Sequence, residues 1–273
     1  MKLLKFLRLS AWALVGLLGL MPSAHAVLPI QHWQQPGGAR VYLVESHNIP
    51  MVDVQIDLDA GSRRDPPDKP GLASAAAGQL ASGIRAQPGL HGPYAKALDE
   101  NRLGEAWADL GASFSVSASG DRLSFALRSL SDPDLLEQAA QLAARQMAHP
   151  AYPQQVWLRD RDKMAAAIRE SLTRPGTVAQ RRFAAAVHGG HPYGNEADET
   201  SLSAIQVADM RAFHARYLDS CRARVSVVGA LNRAQAEQRV LQLLAGLPAS
   251  KPCPALPAVA EVPASGAAQI PTK

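Results

Sequence analysis

The stretch MVDVQIDLDAGSRRDPPDKPGLASAAAGQL, Met51–Leu80, decides how the rest of the chain is read. Its first ten residues alternate Val52, Val54, Ile56 and Leu58 with Asp53, Gln55, Asp57 and Asp59, the period of a strand with one buried face. Gly61-Ser62 ends that strand, and Arg63–Pro70, with three prolines and five charges, reads as a loop. Gly71–Gly83 then places Leu72, Ala73, Ala76, Ala77 and Leu80 at helical spacing. The chain therefore passes from strand to loop to a helix built of small residues.

Upstream, Arg40–Glu45 reads as a second strand. Downstream, Ile84–Tyr94 carries Pro88-Gly89 and Gly92-Pro93 and reads as an irregular excursion. A helix to about Leu110 follows, with Leu98, Leu103, Ala106, Trp107 and Leu110 inward and Gly111 as its C-terminal cap. Ala112–Ser119 and Arg122–Ser129 form a hairpin around Gly120-Asp121. Three helices are expected next: Asp134–Ala148, capped by Ser131 or Asp132 with Pro133 in its first turn, then Gln154–Leu172, and one after Pro175. His188–Gly194 is a loop, a short helix lies near Leu202, and a longer one spans Val207–Tyr217. The strand Arg224–Val228 and the helix Ala234–Ala245 close the pattern. This order predicts an α+β fold with helices packed on a mainly antiparallel sheet.

The chain has 273 residues, 47% hydrophobic and 19% charged, with 20 Gly and 20 Pro, which is globular composition of one or two domains. Residues 1–26 have the layout of an export signal: basic Lys2, Lys5 and Arg8, an apolar stretch Leu9–Met21, and Ala24-His25-Ala26 as a small-x-small cleavage site. That apolar stretch is short of the roughly 20 residues a bilayer needs, so cleavage after Ala26 and a periplasmic location are expected. From Val27 onward 25 basic residues face 24 acidic ones, which gives no argument for nucleic-acid or anionic-membrane binding. Cys221 and Cys253 allow one disulfide or two free thiols, and no cysteine-based metal site. From Pro248 to Lys273, Pro and Ala dominate without periodicity, the composition of a linker or truncated tail, so the domain is taken as residues 27–247.

Taken in order, Met51–Ala60 with Gly61-Ser62 and Asp65-Pro66, Gly71-Leu72-Ala73, Leu110-Gly111-Ala112-Ser113, His191-Pro192-Tyr193-Gly194, and Asp209, Phe213-His214 and Tyr217 leading to Val225–Gly229 resemble the insulinase/pitrilysin family of inverzincin metallopeptidases. The resemblance covers Gly38–Leu247 and implies one half of a clamshell like that of the mitochondrial processing peptidase. In that family the helix opened by the Gly-x-Ala element carries H-x-x-E-H. Two neutral imidazoles at i and i+4 reach one zinc, while the glutamate takes a proton from the zinc-bound water. On this chain the histidine positions are Ser74 and Gly78, and the glutamate position is Ala77. The family's third ligand, a glutamate preceding Ile168-Arg169 and Pro175, is Ala167. All ligand and base positions are chemically empty, so the resemblance implies a subunit without metal, cofactor or catalytic residue of its own, zinc being expected only in a partner.

In several bacterial pairs and in the mitochondrial processing peptidase, a zinc-bearing subunit is closed by a related subunit that lacks the motif. The resemblance thus implies a partner with H-x-x-E-H and an extended peptide added to a sheet edge. The alternatives are a peptide- or protein-binding scaffold unrelated to proteolysis, or a zinc metalloendopeptidase. The chain ends where the linker would lead to the family's second half, which carries its substrate-positioning Arg and Tyr. Ile84–Leu98 is about a dozen residues longer than the usual connection between these elements.

Other constellations read as structural. His188 and His191 with Glu196, Asp198 and Glu199 lie on a Gly-rich connection without fixed ligand geometry, a turn with solvated acids. His47 and His149 read as surface, His214 as a packed or hydrogen-bonded histidine, and Arg159–Lys163 as a solvated helix face. No G-x-S-x-G, P-loop or G-x-G-x-x-G motif occurs.

Overall fold

The structure, a computed structural model, describes residues 28–87 and 95–259. The leader, the Pro88–Tyr94 part of the excursion and the last fourteen residues of the tail lie outside them. Strands β1 (Ile30–Gln34), β2 (Arg40–Glu45), β3 (Met51–Leu58), β6 (Ser113–Ala118), β7 (Leu123–Leu130) and β8 (Arg224–Gly229) form one sheet in the order β1-β2-β8-β3-β7-β6. All pairings are antiparallel except β2 with β8. Two short strands, β4 (Gly83–Ile84) and β5 (Leu98–Asp99), pair separately and tie together the two ends of the excursion.

The helices are α1 (Leu72–Gln79), α2 (Glu100–Asp109), α3 (Pro133–Ala148), α4 (Gln154–Ser171), α5 (Pro175–His188), α6 (Glu199–Ala204), α7 (Val207–Tyr217) and α8 (Arg233–Leu244). Several begin where a side chain accepts from the orphan amides of the first turn. The Asp132 carboxylate accepts from Asp134 and Leu135 N–H at α3, with Pro133 inside the first turn. Asp198 and Asn232 form capping boxes at α6 and α8.

Alternation puts Val41 and Leu43, Val52, Ile56 and Leu58, Leu123 and Phe125, and Val225 and Val227 on one face, all within a few per cent of full burial. The helices cover that face. Trp107 Nε1 donates to Gln146 Oε1 at 2.9 Å, and Gln146 Nε2 donates to the Leu80 carbonyl at 3.1 Å, so a satisfied buried amide links α2, α3 and the end of α1. Trp157 Nε1 donates to the Ile205 carbonyl at 3.1 Å and fixes the start of α4 against the chain entering α7.

Three expectations change, and strand β1 is an addition to them. Strand β1 had no clear apolar alternation, because it is an edge strand in which only Gln31 and Trp33 face inward. The small-residue helix stops at Gln79 rather than Gly83: Gly83 has a positive φ and enters β4. Leu98 belongs to β5, not to α2. The first part of the Pro/Ala segment lies against the body, where Cys221 and Cys253 are disulfide-bonded. Ser220 N–H donates to the Pro248 carbonyl at 2.8 Å, Arg222 donates to the Pro254 carbonyl at 2.6 Å, and Leu256 packs on the core. Among the described residues no helix is long and apolar enough to cross a membrane.

Candidate functional site

Helix α1 owes its position to two features of the loop before it. Gly71 takes a left-handed conformation, φ 97°, and a side chain there would also meet Ala197 at 2.9 Å. No N-cap side chain is available at Gly71, and Asp65 replaces it from six residues upstream. Its carboxylate accepts from the N–H groups of Gly71 and Ala73, both at 2.8 Å, at the positive end of the helix. Burial of Asp65 outweighs those bonds and pushes its carboxyl up from 3.8 to about 6. Lys69 adds an ion pair to Asp209 at 2.7 Å, locking the loop to the start of α7.

The small residues of α1 separate by face. Ala73, Ala75, Ala76 and Ala77 are all buried, which lets α1 lie close to β6 and α7. Ser74 and Gly78 are exposed, and a Cβ placed on Gly78 would meet nothing within 4 Å. Helix α4 runs beside α1: Gln79 Nε2 donates to Asp160 Oδ2 at 2.9 Å. Ala167 lies on α4 two turns beyond Asp160, about 10 Å along the axis at the ordinary helical rise, and is exposed. The zinc that the family resemblance implies needs imidazole or carboxylate donors here. Ser74, Ala77, Gly78 and Ala167 supply none, so these residues do not fit the metal. Among the described residues no three His, Cys, Asp or Glu side chains converge as a metal site elsewhere.

The remaining candidates are engaged structurally. His191 is buried and its Nδ1 accepts from Tyr193 N–H at 3.1 Å, inside a single 3-10 turn, Pro192–Gly194. The nearby acids are paired or capping rather than simply solvated: Glu196 accepts from Arg181, Glu199 from Arg169, and Asp198 caps α6. His149 is half-buried, not a surface residue, and burial together with Arg85 and Arg145 holds its pKa below the usual value. His47 is exposed beside Glu45 at 2.8 Å. His214 Nε2 lies 2.6 Å from the Met147 carbonyl, and burial pushes its pKa down. The charged run on α4 is only partly solvated, since Asp160 reaches Gln79 and Arg159 reaches Glu100 at 3.0 Å.

Next to α1 lies the edge strand β6. It pairs only with β7, so among the described residues its outer side presents unpaired backbone donors and acceptors beside the exposed Ser74 and Gly78 face. Phe114 and Val116 face the core while Ser113, Ser115 and Ser117 are on the open sheet face. Sequence reading found β6 but not its edge position, which depends on the sheet order.

No protein-family model and no curated protein sequence matches the chain. Solved structures do. The peptidase M16 inactive domain from Pseudomonas fluorescens superimposes with a TM-score of 0.76 at 29% identity, over 86% of this chain and 54% of that one. A protease from Helicobacter pylori gives 0.68 at 17% identity, over 81% and 51%, and pitrilysin gives 0.66 at 19%, over 88% and 25%. This chain therefore spans about half the length of the first two and has the fold of one half of peptidase M16 (pitrilysin/insulinase) structures.

Proposed function

We propose that this chain is a non-catalytic M16-type half-subunit, exported to the periplasm, that closes a chamber with a zinc-bearing relative and holds an extended peptide along β6. The observation that carries this reading is the combination at α1: donor-free, exposed Ser74 and Gly78 beside an edge strand with a free backbone ladder. An unpaired edge is ordinarily a liability, and one useful occupant is a peptide that adds as a further strand. The loss of every ligand removes the means of activating water, while the scaffold that positions a peptide is retained. Export is supported by the three-part leader and by the Cys221–Cys253 disulfide, a bond that persists in oxidising compartments.

The test is affinity recovery of the tagged full-length chain from periplasmic extract, with mass spectrometry, metal analysis and a peptidase assay on the eluate. Recovery of an H-x-x-E-H relative with chelator-sensitive cleavage, and no hydrolysis by the chain alone, is expected. Stoichiometric zinc and peptide hydrolysis by the isolated chain would overturn the non-catalytic assignment. A folded chain that recovers no such relative would overturn the pairing.

A further inference from the structure

The sheet face away from the helices is open, and its chemistry changes from one register row to the next. One row crosses the sheet as Ser117, Ser124, Asp57, Arg224 and Arg40, on β6, β7, β3, β8 and β2. At the far end of the strands Asp53 and Arg128 neutralise each other at 2.6 Å. The Ser117–Arg40 row behaves differently. Arg40 and Arg224 are exposed register partners on adjacent parallel strands, and neither guanidinium has a hydrogen bond or ion pair among the described residues. Like charges placed directly opposite one another repel across a sheet, so an anion placed between them is favoured; Asp57, the register partner of Arg224 on β3, is engaged by Arg122 instead.

Arg122 and Arg222 border the same hollow, a volume of about 400 Å³. The acids around it do not neutralise the pair. Asp57 accepts from Ser124 and Gln55 and from Arg122 at 3.2 Å; those bonds overcome burial and keep it ionised with its pKa below the usual value. Asp59 is held by Arg63 and Arg64 at 2.9 and 2.6 Å, and Asp121 by Arg63 at 3.2 Å. Among the described residues every carboxylate here has a cation, while three guanidiniums have no carboxylate: Arg222, which donates to the Pro254 carbonyl, and Arg40 and Arg224, which have no partner.

We propose that Arg40 and Arg224 bind carboxylate side chains of an acidic peptide lying across the open sheet face, which makes this chain selective for acidic segments. The inference rests on the peptide-holding reading above and names its substrate class. The two forks offer bidentate N–H donors suited to discrete carboxylates. A continuous polyphosphate would meet Asp57, Asp59 and Asp121 in the same hollow. Three to four strand spacings of about 4.8 Å put the pair ~14–19 Å from the β6 edge, within reach of a peptide that leaves that edge and runs on for five or six residues.

Fluorescence anisotropy with the full-length chain tests this, using three labelled peptides of one apolar pattern that carry Glu, Gln or Lys at two adjacent positions. At low salt the Glu peptide is expected to bind about fivefold or more tighter than the Gln peptide, with the Lys peptide weakest. The preference should vanish in the Arg40→Gln/Arg224→Gln variant, persist in the Arg128→Gln control and shrink in high salt. Equal binding of the three peptides, or a preference that survives in the double variant, overturns the proposal while leaving the peptide-holding reading intact. Alternate N-methylation of the Gln peptide checks that reading separately: undiminished binding refutes strand addition whatever the charge result. If no peptide binds, both fall.

Discussion

Replacing Asp65 by asparagine isolates the buried carboxylate that seats α1. In the folded chain its carboxyl titrates at about 6 instead of 3.8, so the folded state holds the proton more tightly than the unfolded state. Its contribution to stability is therefore fully present below pH 3.8 and lost as pH rises through about 6. The full shift corresponds to about 3 kcal/mol, of which about 2 kcal/mol falls between pH 4.5 and 7.5. Asp65→Asn keeps an oxygen for one of the Gly71 and Ala73 amides, sets its NH2 against the other at a cost that does not vary with pH, and has nothing to ionise. Urea unfolding followed by circular dichroism at four pH values should show wild type losing about 2 kcal/mol more than the variant across that range. Subtracting the two curves cancels every other titrating group. Asp65→Ala, which removes the acceptor as well, should cost a further 1–2 kcal/mol or so at pH 4.5. Parallel pH curves for wild type and Asp65→Asn would refute the claim that burial, rather than the two amide bonds, governs this side chain.

Gly78→Ala should raise unfolding free energy by about 0.5 kcal/mol, because the position lies in the last turn of α1 and is exposed, with open space where the methyl would sit; a loss of stability would mean that the face is already occupied. His214 has the opposite sign to Asp65: its pKa is depressed by burial, so its contribution is present above about 6.5 and lost as pH falls through the folded value, and His214→Asn should flatten the acid side of the stability curve. Reducing the Cys221–Cys253 bridge, which spans 32 residues, should lower stability by up to about 4 kcal/mol on the chain-entropy estimate, read as a shift in the urea midpoint with and without reductant.

Much of the fold was legible because its signals are local. The alternation of Met51–Leu58, the Gly120-Asp121 hairpin and the Pro133 and Gly111 boundaries each depend on a few neighbouring residues, and each lies where the pattern put it. The empty positions Ser74, Ala77, Gly78 and Ala167 were legible for the same reason, as residue types in a spaced pattern. Strand β1 was missed because an edge strand buries only two side chains, too few to stand out. The Pro248 segment has the composition of a linker because proline-rich composition reports missing periodicity; it says nothing about the disulfide and carbonyl acceptors that tie its first part down.

The sequence alone determined most of the elements and their approximate limits, and that Ser74, Ala77, Gly78 and Ala167 carry no imidazole or carboxylate. Only the tertiary structure decided what those elements do together. The order β1-β2-β8-β3-β7-β6 makes β6 an edge beside α1 and brings Arg40 and Arg224, 184 residues apart in the chain, into one register row. Strand alternation fixes which face a side chain takes from its immediate neighbours, whereas strand pairing is a long-range choice made by burying the whole apolar face at once.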